Sequence, residues 1–105
     1  MSDLKPFIAI TASGTALTEQ QAEEAFELIM SGQASPVQIS SLLTALAVRG
    51  ESVAEITGAA RIMRAKALPV TAPNNTIDTC GTGGSGSGKF NVSTAVAIVV
   101  AACGV

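Results

Sequence analysis

The sequence predicts two kinds of structure in series: an N-terminal all-α helical domain, then the start of an α/β domain made of one strand, a glycine-rich loop and one buried helix. Three observations predict it. A helix-start signal of one form, Ser or Thr followed three residues later by Gln or Glu, stands at Thr18/Gln21, Ser35/Gln38 and Ser52/Glu55, each ahead of apolar residues at helical spacing. A stretch carrying Pro69, Pro73 and Asn74-Asn75 then reads as a linker. Beyond it, a glycine-dense loop from Gly81 to Gly88 lies between a strand-like stretch and a long apolar one. The expected organisation is a helical domain over 1–68, a linker over 69–76 and the strand-loop-helix over 77–105.

A short opening helix is expected from Asp3 to Thr11, with Pro6 tolerated in its first turn and Gly14 beyond its end. In the second helix Ala22, Ala25, Phe26, Ile29 and Met30 form the apolar stripe. Glu19, Glu23, Glu24 and Glu27 fall mostly on the other face, read as solvated. Gly32 sits where a residue of positive φ ends a helix. Ser35-Pro36 opens the third helix, whose stripe is Ile39, Leu42, Leu43, Leu46 and Ala47. The fourth carries Val53, Ile56, Ala59, Ala60 and Met63, with Arg61, Arg64 and Lys66 toward its C-terminal end, where cations suit the dipole. Pro69 stops it.

After the linker, Ile77 to Cys80 reads as a short strand. Ala95 to Cys103 is apolar all round, so periodicity alone does not separate a strand from a buried helix. Asn91, Ser93 and Thr94 as N-caps, with Gly104 behind, favour the helix. A helix without a polar face needs cover on several sides, and a parallel strand needs a crossover and a second strand. The expectation is therefore the N-terminal piece of a larger protein, or a segment that pairs with another chain.

Composition bounds the function. Of the 105 residues, 48% are hydrophobic and 13% charged, a globular balance with few aromatics, and the core must be built from Ala, Val, Ile, Leu and Met. The net charge of −2 leaves no basic footprint for nucleic acid. The apolar run is too short to span a bilayer, and no charged-then-apolar leader pattern opens the chain, so a cytoplasmic protein is expected. Cys80 and Cys103 read as reduced, packed thiols. The chain contains no His, which removes the usual general base and the commonest metal ligand.

The run Asp78-Thr79-Cys80-Gly81-Thr82-Gly83-Gly84-Ser85-Gly86-Ser87-Gly88-Lys89-Phe90-Asn91-Val92-Ser93-Thr94 carries the chemistry. Glycines let a ligand approach the backbone, consecutive N–H groups make a concave anion site, and a following helix N-terminus adds its dipole. The pattern suits phosphate. Gly81, Gly83 and Gly86 satisfy G-x-G-x-x-G; the acidic residue that a dinucleotide fold wants some 20 positions on would fall at or beyond Val105, and a helical domain before the first strand is atypical of that fold. Gly83, Gly88 and Lys89 match most of a Walker A loop, yet Phe90 stands where Ser or Thr must hold magnesium.

The full string resembles the loop of the anthranilate phosphoribosyltransferases, Gly-Thr-Gly-Gly-Asp followed after a spacer by Asn-x-Ser-Thr. Here it is Gly81-Thr82-Gly83-Gly84-Ser85, then Asn91-Val92-Ser93-Thr94. Leu17-Thr18-Glu19, Met30-Ser31-Gly32, Ser35-Pro36-Val37-Gln38-Ile39 and Gly58-Ala59-Ala60-Arg61-Ile62-Met63-Arg64 resemble that family's N-terminal helical segments in the same order. Pyrimidine nucleoside phosphorylases have a similar loop, but the Asn-x-Ser-Thr element fits the transferase better.

The resemblance implies a homodimeric enzyme of tryptophan biosynthesis that joins anthranilate to 5-phosphoribosyl 1-pyrophosphate with release of pyrophosphate, using Mg2+. It implies a small helical domain making the dimer contact ahead of a larger α/β domain. Gly81, Thr82, Gly83, Gly84, Ser85, Lys89, Asn91, Ser93 and Thr94 would contact phosphoribosyl pyrophosphate, and Ser93 would also be a magnesium ligand. No catalytic residue is assignable. Ser85 stands where the family has Asp, so a hydroxyl replaces a charged acceptor near phosphate and metal. The family's acidic metal-binding pair and most of its anthranilate pocket have no counterpart in the chain, so no transferase activity is expected of these 105 residues alone.

Plainer roles stand beside these. Lys89 is equally a solvated loop lysine, and Ser93 and Thr94 equally cap a helix. Asp78 reads as a strand-end acceptor for loop N–H groups rather than a catalytic acid. Phe90 reads as a packing anchor under the loop, and Phe26, Met30 and Met63 as core or dimer contacts. Two other functions compete: a helical dimerisation or interaction module with a vestigial phosphate loop, and a relative of the nucleoside phosphorylases.

Overall fold

Side chains that satisfy free N–H groups at helix starts open three of the first four helices, and a computed structural model describes residues 3–81 and 91–105. Among the described residues, α1 spans Lys5–Ala12, α2 Glu19–Met30, α3 Pro36–Arg49, α4 Val53–Lys66 and α5 Val92–Ala102. The chain divides into two compact units, Met1–Leu68 and Pro69–Val105.

All three capping boxes form. Thr18 Oγ1 accepts from the Gln21 N–H at 3.2 Å, and Gln21 Oε1 accepts from the Thr18 N–H at 2.9 Å. Ser35 and Gln38 exchange the same pair at 3.3 Å each. Ser52 Oγ accepts from the Glu55 N–H at 3.3 Å and Glu55 Oε2 from the Ser52 N–H at 2.8 Å. Each box satisfies two donors that the helix geometry orphans, about 1 kcal/mol per cap. α1 has no side-chain cap; Gln38 Nε2 instead donates to Asp3 Oδ1 at 2.5 Å and ties the start of α1 to α3. Gly50, at φ +86°, turns the chain out of α3 in a conformation that other residues rarely adopt.

In the first unit α1 packs on α3 and α2 on α4. Leu4, Ala25, Leu42 and Leu46 form the buried centre, with Phe7, Ile8, Phe26, Leu28, Ile29, Ala34 and Ile39 packed against it. Each fully buried Leu contributes roughly 1.5–3 kcal/mol. α2 and α4 approach closely because residue 58 is Gly: a Cβ there would lie 2.5 Å from the Glu19 carbonyl oxygen and 2.9 Å from the Ala22 Cβ.

Two expectations for this unit are corrected. The stripe on α4 is not core: Val53, Ile56 and Met63 are exposed, and the positions α4 buries are Glu55 and Gly58. Ile56, Ala59, Ala60 and Met63 instead line an open apolar groove with Phe26, Leu43 and Leu46, about 430 Å³ in volume. The tight α2–α4 contact decides this, since only glycine admits the neighbouring backbone. The acidic face of α2 is paired rather than merely solvated. Arg61 bridges Glu19 at 2.5 Å and also Glu23, and Lys66 reaches Glu27 at 2.5 Å.

Glu55 is 2% exposed and is the buried anion of this unit. It accepts from the Leu17 N–H at 2.8 Å and from Arg49 Nη2 at 2.7 and 2.6 Å, besides Ser52. These contacts join the α1–α2 connection, the end of α3 and the start of α4.

In the second unit, the strand expected from Ile77 to Cys80 does not form. The segment carries no ladder, and among the described residues there is no strand. A β-strand exists only by pairing, and no partner segment is at hand. It runs instead beside α5: Pro73, Asn75, Thr76, Ile77 and Thr79 share a cleft with Ala97, Val100, Gly104 and Val105. The apolar run is helical as expected, but the helix is not buried. α5 has no buried residue, and Val92, Ile98 and Val99 are well exposed. Its composition asks for cover on several sides and receives it on one.

Candidate functional site

The site lies within the second unit, where 76–81 meets the start of α5. Asn91 is the N-cap of α5: its Oδ1 accepts from the Thr94 N–H at 3.0 Å and its carbonyl from the Ala95 N–H at 3.2 Å. Of the three cap candidates, Asn91 takes the role, which leaves the Ser93 hydroxyl for a longer-range contact. Ser93 Oγ accepts from the Gly81 N–H at 3.3 Å, across twelve positions of sequence. Three positions before the first glycine of the run, Asp78 Oδ1 accepts from the Cys80 N–H at 2.8 Å.

Gly81, Asn91, Ser93 and Thr94 are thus gathered at one helix end. A Cβ at residue 81 would meet Ser93 Oγ at 3.6 Å, an ordinary contact, so here glycine leaves the backbone open to a ligand rather than avoiding a clash. Thr82, Gly83, Gly84, Ser85, Lys89 and Phe90 lie outside the described residues. The Gly81–Ser93 link is the feature that sequence reasoning missed; no local signal pairs two residues that far apart. Cys80 and Cys103 are free, as expected, but exposed rather than packed.

Charge is sparse. From Pro69 to Val105 the sequence holds one anion, Asp78, and one cation, Lys89. Anion recognition would therefore fall chiefly on backbone N–H groups and hydroxyls. For magnesium, Ser93 Oγ is a hard oxygen of a suitable kind. Among the described residues no three His, Cys, Asp or Glu side chains cluster as a metal site. Ser93 therefore fits as a single ligand to a metal that takes its other oxygens from phosphate and water, the usual habit of Mg2+. No helix among the described residues is long and apolar enough to cross a membrane.

Two models of one family between them cover most of the chain. Residues 5–67 match the model described as "Glycosyl transferase family, helical bundle domain", and residues 73–105 match "Glycosyl transferase family, a/b domain". The chain belongs to this glycosyl transferase family. Within it, the chain is 62% identical over all 105 residues to a protein of Azospirillum brasilense named anthranilate phosphoribosyltransferase. It is 60% identical over 97% of its length to the protein of that name from Paramagnetospirillum magneticum, and 58% identical over its whole length to that from a Chelativorans species. The chain spans about 30% of the length of these relatives: 30% of the first two and 31% of the third. No solved structure matches the chain.

Proposed function

We propose that this chain is the N-terminal portion of an anthranilate phosphoribosyltransferase of tryptophan biosynthesis, which transfers phosphoribosyl from 5-phosphoribosyl 1-pyrophosphate to anthranilate. The observation that carries the reading is the 62% identity to a protein of that name, sustained over the whole chain. The Gly81–Ser93 contact supports it, because it puts a loop amide and a helix-end hydroxyl side by side at the head of the glycine run.

In this reading Thr82, Gly83 and Gly84 present backbone N–H groups to the pyrophosphate, while Gly81, whose own N–H is held by Ser93, lets the ligand approach the backbone closely. Ser85, Lys89, Asn91, Ser93 and Thr94 add hydroxyl, amide and ammonium contacts. The substrate carries many phosphate oxygens, which such donors suit. Magnesium, when bound, neutralises charge on the departing pyrophosphate, and Ser93 is the residue of this chain that would hold it. The anthranilate amine needs little deprotonation before attack, so positioning and preorganised charge suffice without a histidine base. Segment 77–80 becomes a strand, and α5 becomes buried, once further strands and helices of the α/β domain pack on them. The helices of the first unit form a homodimer contact, and the enzyme works in the cytoplasm.

Calorimetric titration of the chain with 5-phosphoribosyl 1-pyrophosphate and Mg2+ tests this. Binding that inorganic phosphate and NAD do not reproduce is the expected result. Equal preference for inorganic phosphate would transfer the reading to the nucleoside phosphorylases. No binding at all would leave the helical unit as an interaction module.

A further inference from the structure

We draw no further inference here: the strongest candidate, the open apolar groove between α2, α3 and α4 that Phe26, Leu43, Ile56 and Met63 line, carries nothing because nothing in the structure shows what covers it.

Discussion

Replacing Glu55 by Gln is expected to remove about 3 kcal/mol from the stability of the helical unit at pH 7. Burial pushes this carboxyl up, but the Arg49 guanidinium and then the N–H groups of Ser52 and Leu17 outweigh it and hold the group at about 2, against an ordinary 4.5. A depression of that size corresponds to about 3 kcal/mol in favour of the folded, ionised form. An independent route agrees, since breaking a buried ion pair by removing one partner costs roughly 3–5 kcal/mol. Arg49 is only 17% exposed and its Nε has no partner among the described residues, so the guanidinium has no spare contact to fall back on. Because the folded-state value lies below the unfolded one, the contribution is complete above about pH 5 and fades as pH falls toward 2. The difference between the unmodified chain and E55Q should therefore shrink by more than half, to about 1 kcal/mol, at pH 3. Urea unfolding followed by far-UV circular dichroism at pH 7 and pH 3 measures both quantities. Equal midpoints at pH 7, or a gap that persists undiminished in acid, would refute the assignment of Glu55 as an ionised buried anchor.

Other outcomes follow from the same geometry. Gly58→Ala brings a Cβ to 2.5 Å from the Glu19 carbonyl and should cost about 1–3 kcal/mol in thermal unfolding, despite the better helix propensity of alanine. Arg61→Ala loses exposed bridges to Glu19 and Glu23; it should lower the thermal midpoint less than G58A does, and the loss should vanish in molar salt. Asn91→Ala removes the α5 cap and should cost that helix about 1 kcal/mol, read as lost helical dichroism. Ser93→Ala should leave helicity unchanged while weakening the titration with 5-phosphoribosyl 1-pyrophosphate and Mg2+.

What was legible in the sequence was what is local. Thr18, Ser35 and Ser52 announce their helices because a capping box is complete within four residues. Asn91 announces α5 for the same reason, since its side chain caps an N–H only three residues on. What escaped depends on neighbours. The face that α4 buries is chosen by Gly58 against the backbone of α2, and no hydrophobic pattern on α4 itself encodes that choice. Glu55 reads as a capping residue and only in three dimensions becomes the anchor of Leu17 and Arg49. Ile77 to Cys80 has strand composition without a partner strand, and α5 has the composition of a core helix without a core around it. Gly81 and Ser93 meet across twelve residues, a separation at which sequence carries no pairing signal.

The most direct test of the account is a chimera in which this chain replaces the corresponding 30% of the Azospirillum brasilense relative. Its consumption of anthranilate in the presence of 5-phosphoribosyl 1-pyrophosphate and Mg2+ would be followed by fluorescence, beside the 105-residue chain alone. The account predicts turnover by the chimera and none by the chain alone. A chimera that folds and binds 5-phosphoribosyl 1-pyrophosphate yet releases no pyrophosphate, or a pure 105-residue chain that turns over, would contradict it.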